Sequence, residues 1–352
     1  MKLFLRMKNS SFLFLLHGLR YLTFLILTLF VNSYLIAQTT SDFRCVFWNV
    51  ENFFDTRNDS LTLDDSFTPT GDLHWTDSRY RKKRNHIYQT IVAMSTVENS
   101  ILQPPAIIAM AEVENDMVLR DLCRATPLRR YGYSFVHFDS PDRRGIDNAL
   151  LYRPDRVRVL SAYPVSVSDS LFRSRDILVV EAELSSGDSV YLFVNHFPSK
   201  LGGQDAIENR RRVALRLRGL MDSVVAHCPN HAVIVMGDFN AVPTEAELQL
   251  LTSPQDDGKF VNLMARMPRG SGSYKYQGNW DYLDQIIVVG SVLNGVNSIQ
   301  IKGGGAHVFE AEFLTVDDDK FLGAKPFRTY LGPRYQGGFS DHLPVYVDLK
   351  HQ

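Results

Sequence analysis

Val233-Ile-Val-Met-Gly-Asp-Phe-Asn-Ala-Val-Pro-Thr244 runs four apolar residues into a Gly-Asp-Phe-Asn turn and then a proline. The apolar run reads as a buried strand, and Pro243 stops the chain from continuing it. Gly, Asp and Asn suit a turn for steric and hydrogen-bonding reasons. In layered α/β folds, however, the carboxyl ends of buried strands are also where ligands are handled. Two readings of Asp238 and Asn240 therefore compete, turn or site, and the other strand ends decide between them.

The pattern recurs along the chain. Arg44–Asn49 is a strand ending in Asn49, with Glu51 and Asn52 close behind. Ala106–Ala111 runs into Glu112 and Glu114, and Val190–Asn195 ends in Asn195 and His196. Tyr282–Val289 carries Asp284 at its start with Asp281 just before it, and Asp341 and His342 precede the last strand, Leu343–Leu349. Each polar strand end alone is most simply a turn or cap. Together they form an inventory of Asn, Glu, His and Asp that an apolar framework does not need. It suits a hard divalent cation, which takes oxygen ligands, and a histidine held by a carboxylate, which moves a proton. Metal, histidine and oriented water describe in-line hydrolysis of a phosphate ester. No Cys/His cluster at ligand spacing supports a structural zinc site.

Further apolar runs at Asn148–Tyr152, Ile177–Leu184 and Ala232–Met236 read as strands, and several runs alternate apolar and polar residues as antiparallel sheets do. Apolar residues at three- and four-residue spacing predict helices over Ser78–Val97 and Ala206–Val225. The mixed order predicts an α/β fold: a four-layer α-β-β-α sandwich, with two mainly antiparallel sheets face to face and helices outside. The basic run at Arg79–Arg84 reads as the solvated face of the first helix, with Tyr80, Ile87 and Ile91 turned inward.

The 352-residue chain is 45% hydrophobic, a globular composition. Its first 37 residues differ: Lys2, Arg6, Lys8 and Arg20 flank or precede the apolar run Tyr21–Val31, and Ala37 follows. That is the layout of a secretory signal, residues 1–37, ahead of a catalytic domain, residues 38–352. The competing reading of the segment is an uncleaved membrane anchor. Losing its four positive charges takes the net charge from −1 to about −5, unlike a protein that binds nucleic acid mainly by phosphate neutralisation. Cys45, Cys123 and Cys228 are too few for a disulfide framework and read as small buried hydrophobes.

At these residues, above all Gly237-Asp-Phe-Asn240 together with Ser340-Asp-His-Leu-Pro-Val345, the sequence resembles the endonuclease/exonuclease/phosphatase superfamily. The resemblance spans nearly the whole chain from Trp48-Asn49 to Asp341-His342, and it implies the four-layer sandwich and a Mg²⁺-dependent mechanism, with Mn²⁺ or Ca²⁺ as substitutes. Carried over, Glu112 is the main metal carboxylate, with Asn49 beside it and Asp341 a further candidate. Asp238 and Asn240 orient the nucleophile and hold the scissile phosphate. His342 is the general base, with Asp284 or Asp341 orienting it, and His196 is the second histidine of the nuclease and sphingomyelinase branches. Asn195, Asn148, Arg144 and Arg328 are substrate-binding candidates. The expectation is an exported (periplasmic or secreted) phosphodiesterase acting as a nuclease, monomeric and without a stable protein partner. It meets a membrane only if the N-terminal segment is retained. The alternative is a phosphomonoesterase or a sphingomyelinase-like phospholipid phosphodiesterase.

Overall fold

The computed structural model describes residues 42–98, 101–170, 172–201, 203–252 and 259–352. The expected signal segment lies outside the described residues. Among those described, no helix is long and apolar enough to cross a membrane.

Two sheets carry the fold. The first contains β1 (Asp42–Phe53), β2 (Ile107–Val113), β3 (Ser134–His137) and β4 (Asp147–Tyr152). The second contains β5 (Val157–Val165), β6 (Ile177–Leu184), β7 (Ser189–His196), β8 (Ala232–Asp238), β9 (Phe260–Asn262) and β10 (Asp284–Val289). The chain then returns to the first sheet through β11 (Ile299–Ile301), β12 (His307–Val308) and β13 (Val345–His351). The orders are β11-β13-β1-β2-β4-β3, with β12 also on β13, and β9-β10-β8-β7-β6-β5. Pairing is antiparallel except at the centre of each sheet, where β1 lies parallel to β2 and β7 parallel to β8. Those two parallel pairs send four strand ends, and Asn49, Glu112, His196 and Asp238 with them, to carboxyl edges.

Period-two alternation builds the layers. In β1, Phe43, Cys45 and Phe47 pack into one core with both sheets' residues, among them Val194, Ile234 and Met236. Val46, Trp48 and Val50 face the other way, into a second core with two helices, α1 (Asp77–Ala93) and α2 (Asp116–Arg124). A long helix, α3 (Gly203–His227), covers the second sheet with Val213, Ala214, Leu217 and Met221. The result is the expected α-β-β-α arrangement.

Local departures have physical causes. α1 stops at Ala93, short of the predicted Val97, and Thr96–Glu98 pairs instead with Ile101–Gln103 in a hairpin. α2 was not anticipated; Asn115 caps it, its side chain accepting from the amides of Met117 (2.8 Å) and Val118 (3.1 Å). An Asn-Asp start before Val118, Leu119, Leu122 and Cys123 is the signal that marks it. The basic run is not wholly solvated: Lys83 is buried. Its Nζ donates to Thr329 Oγ1 and to the Phe339 carbonyl, both at 2.6 Å, and so fastens α1 to the segment leading into Asp341.

Candidate active site

Gly237 shows why the opening motif has its composition. β7 and β8 pair in register, with Gly237 opposite Asn195 and Asp238 opposite His196. A Cβ at Gly237 would lie 2.5 Å from the Asn195 carbonyl oxygen and 2.7 Å from its Cβ, so only glycine lets the strands close. Asp238, one residue on, is thereby set beside His196 at the strands' ends. The Asp238 Oδ1 accepts from the Asn240 amide at 2.8 Å, an Asx-type turn that holds Asn240 at φ +46°. The turn leaves the other carboxylate oxygen facing the sheets' edge.

That oxygen is the hub. Asp238 Oδ2 accepts from Asn49 Nδ2 at 3.1 Å, across from the first sheet. His342 Nε2 lies 3.6 Å from it and His196 Nε2 3.7 Å. His342 Nδ1 bonds to Asp284 Oδ2 at 2.8 Å, and Asp284 is opposite Asp238 in the β8–β10 pairing. The His342 ring also sits 4.8 Å from that of Tyr274, centroid to centroid. Ser340 locks the approach to His342: its Oγ donates to the Asn49 carbonyl at 2.7 Å and accepts from the His342 amide at 3.1 Å. Trp48 Nε1 donates to the His342 carbonyl at 2.9 Å. The end of β1 and the start of the last strand are thus one hydrogen-bonded unit.

Burial sets the charges. Asp238 is almost inaccessible, and burial together with the Asp284 charge pushes its carboxyl up to about 7, against the opposing pull of His342 and its hydrogen bonds. Burial works against a charged His342, but Asp284 and Asp238 outweigh it and hold the imidazolium well above its ordinary range. His196 goes the other way. Burial, reinforced by Arg175, Arg144 and His342, keeps it neutral, well below the ordinary histidine value.

Glu112 approaches from the end of β2, with His196 Nε2 4.0 Å from its Oε1. Its Oε2 accepts from the Asn52 amide at 2.8 Å, and Arg144 comes no closer than 3.8 Å. Its φ of +63° is strained for a residue with a Cβ, at a cost of about 1–3 kcal/mol. Glu112 is a hard oxygen donor beside an acidic cluster, which fits a Mg²⁺-class cation and not a soft one; Asn49 Oδ1 accepts from the Glu51 amide at 3.0 Å, which leaves it one further lone pair for such an ion. Asp238, Asp284 and His342 also each place a donor atom within 4.8 Å of the others.

The remaining sequence candidates lie differently. Asp341 does not orient His342; its Oδ2 accepts from Arg328 Nη2 at 2.8 Å. Arg328 is also 3.5 Å from Glu51, so it is committed to carboxylates of its own chain. Asn195 donates to the carbonyls of Phe193 (3.2 Å) and Met236 (3.3 Å), and Asn148 to that of Asp176 (2.8 Å), which leaves the buried Oδ1 of each without a partner among the described residues. Arg144 does reach the mouth, its side chain half exposed and its Nη2 2.5 Å from Asn52 Oδ1. Glu114 turns from the site to the Asp55 amide, and Asp281 pairs with Tyr274 in a hairpin, so Glu112 and Asp284 are the members that converge.

Sequence reasoning missed the layer beneath. Glu51 accepts from the amides of Thr329 (2.6 Å) and Tyr330 (3.3 Å); burial and Asp341 push its carboxyl up to about 7. Burial lowers the neighbouring Lys83 to about 8 although Glu51, Asp341 and Glu112 favour its charge. Arg175 holds the Phe197 carbonyl at 2.6 Å, just past His196, and Asp142 at 3.0 Å. Arg210 is likewise buried, 2.9 Å from Glu247. A lone Lys or Arg carries no signal in one sequence that separates a buried strut from a solvated charge.

The model of the Endonuclease/Exonuclease/phosphatase family matches residues 44–351. The chain belongs to that family. Its members are hydrolases that act on phosphate esters and typically use divalent metals. Among solved structures, the chain is similar to an endonuclease/exonuclease/phosphatase family protein from Bacteroides thetaiotaomicron at 16% identity and a TM-score of 0.57, covering 89% of this chain and 98% of that one. The human Nocturnin catalytic domain, with a bound sulfate anion, is similar at 16% identity and 0.55, over 88% and 95% of the two chains. A mannosyl-6-phosphatase from Bacteroides thetaiotaomicron gives 17% and 0.54, over 87% and 99%. At these identities the likeness is one of fold. No curated protein matches the chain.

Proposed function

We propose that this phosphate-ester hydrolase is an exported, Mg²⁺-dependent phosphodiesterase that cleaves nucleic acid by in-line attack of an activated water. The observation that carries the reading is the Asp238 carboxylate held between two imidazoles, at 3.6 and 3.7 Å, one of them cationic and one neutral. A base poised near 7 and next to a fixed cation suits water activation at neutral pH. Asp238, with Asn240 on its turn, is therefore the group that takes the proton from water. His342, oriented by Asp284, is the imidazolium that holds a phosphoryl oxygen. This exchanges the roles the sequence resemblance implied for His342 and Asp238, because Asp284 stabilises a proton on His342 while burial destabilises charge on Asp238. Neutral His196 donates a hydrogen bond to a phosphoryl or leaving oxygen.

A divalent cation, held by Glu112 and Asn49, would supply charge neutralisation on the phosphate when bound. The local balance favours a diester. Glu112, Asp238, Asp284, Glu51 and Asp341 outnumber Arg144, Arg328, Lys83 and His342 by one, and a bound divalent cation would turn that excess into one positive charge, better matched to a diester than to the two charges of a monoester. Export rests on the N-terminal segment, read as a signal.

The test is a substrate panel with Mg²⁺: plasmid DNA, RNA, bis(4-nitrophenyl) phosphate, 4-nitrophenyl phosphate and sphingomyelin. Nucleic acid and the diester are expected to be cleaved, with turnover abolished by EDTA. EDTA-sensitive hydrolysis of 4-nitrophenyl phosphate with DNA left intact would replace this reading with a phosphomonoesterase, and sphingomyelin cleavage alone with a phospholipase.

A further inference from the structure

A second group of ligand-type side chains lies on β3, β4 and the segment joining them. A ring nitrogen of His137 and a carboxylate oxygen from each of Asp139 and Asp147 all lie within 4.8 Å of one another. The β3–β4 pairing, with His137 opposite Ala149, brings His137 and Asp147 to the same end of the first sheet, and Asp139 is two residues past His137. None of the three is used in the chemistry proposed above.

The imidazole is arranged as a metal ligand is. Its Nδ1 lies 3.1 Å from Asp116 Oδ1, which fixes the ring and places the Nδ1 proton on that bond. The side chain is 2% exposed, and its buried Nε2 faces Asp147 Oδ2 at 3.5 Å, too long for a well-formed hydrogen bond. A bare Nε2 lone pair facing a carboxylate is repulsive, so either a proton, which Asp147 and Asp116 favour on this ring, or a metal cation stands between them. A carboxylate bonded to one imidazole nitrogen while the other faces the ligand position is the arrangement that orients metal-bound histidine. Asp147 keeps one oxygen for this: its Oδ1 accepts from the Ser140 amide at 3.0 Å, and Oδ2 is the atom turned to His137.

We propose that His137, Asp139 and Asp147 bind a divalent cation of the Zn²⁺ or Mn²⁺ class, with Asp116 orienting the imidazole. One nitrogen and two carboxylates suit these borderline ions better than Mg²⁺ or Ca²⁺, and exposed Asp139 leaves the remaining position to water. The site closes a loop. Residues 138–146 run between two of its ligands and carry Asp142, paired with Arg175 at 3.0 Å, and Arg144, which reaches Glu112 and Asn52. The cation thus pins both ends of the segment that delivers Arg144 to the active site.

The experiment is calorimetric titration of EDTA-stripped protein with Zn²⁺, in a Glu112→Gln background that weakens binding at the catalytic centre. Adding Asp139→Asn should remove one equivalent of Zn²⁺. Adding Asp116→Asn in its place should weaken that equivalent about 10- to 100-fold. Both side chains are largely exposed, and circular dichroism confirms that each variant folds. Equal stoichiometry and affinity with and without Asp139, or no Zn²⁺ bound at all in the Glu112→Gln protein, would overturn the proposal and leave His137 as a protonated bridge between Asp116 and Asp147.

Discussion

Asp284→Asn tests the charge assignment most directly. Asp284 is fully buried and meets His342 Nδ1 at 2.8 Å. After burial, which disfavours the imidazolium, the Asp284 charge is the largest influence on His342 and the one that holds its proton. An asparagine preserves the shape and a hydrogen bond but removes the charge. Burial then prevails, and His342 becomes neutral near pH 7. A hydrogen bond to a charged group is worth about 1.5–3 kcal/mol. At about 1.4 kcal/mol per tenfold, losing that stabilisation of the phosphoryl oxygens lowers kcat about 10- to 100-fold. The pH profile moves as well. In the wild type, activity on bis(4-nitrophenyl) phosphate should rise as Asp238 ionises around 7 and fall at alkaline pH as His342 loses its proton. In the variant the alkaline limb should shift to lower pH, narrowing the bell. The assay is kcat and kcat/KM from pH 5 to 10 at saturating Mg²⁺, with thermal unfolding as the check on folding. A folded variant with kcat within twofold of wild type and an unmoved alkaline limb would refute the assignment of His342 as the cation.

Two further substitutions probe the same site. Asp238→Asn should abolish turnover yet raise stability above neutral pH. Burial lifts the native carboxyl to about 7, so stability is lost as pH rises from the ordinary carboxylate range through 7, and asparagine removes that loss. In metal-free protein, melting curves at pH 5 and pH 8.5 should show the variant's advantage growing with pH; an advantage that shrinks would reverse the argument. Gly237→Ala brings a Cβ to 2.5 Å from the Asn195 carbonyl oxygen, so β7 and β8 must part. Overpacking of this kind costs about 1–3 kcal/mol. It should also weaken activity by moving His196 from Asp238, and a denaturant midpoint and kcat equal to wild type would show that the close approach is not needed.

Much of the fold was legible because its central strands are long apolar runs and its outer ones alternate. Val233–Met236 and Ala106–Ala111 could hardly be anything but buried strands, and the observed β8 and β2 contain most of each. The brief helix α2 escaped because nine residues carry little periodic signal, and its Asn115 cap resembles an ordinary turn residue. The strand-end polar residues were legible as a set, since local chemistry places Asn49, Glu112, His196, Asp238, Asp284 and His342 where apolar runs stop. Their pairing was not. Asp284 and Asp341 were equally good orienting carboxylates in sequence, and only the antiparallel register of β10 on β8 puts Asp284 under His342 while Arg328 takes Asp341.

The linear chain therefore determined which residue types sit at the ends of buried strands, and with them a phosphate-ester chemistry, because hydrophobic period and turn preference are local properties. Tertiary structure decided what those residues do. Charge state depends on burial and on neighbours far apart in sequence: His342 and Asp284 are 58 positions apart, and Asn49 and Asp238 are 189. It is that convergence, at the ends of two parallel strand pairs in facing sheets, that favours the proton on one histidine, disfavours it on the other, and lifts the carboxyl of the aspartate in Gly-Asp-Phe-Asn to about 7.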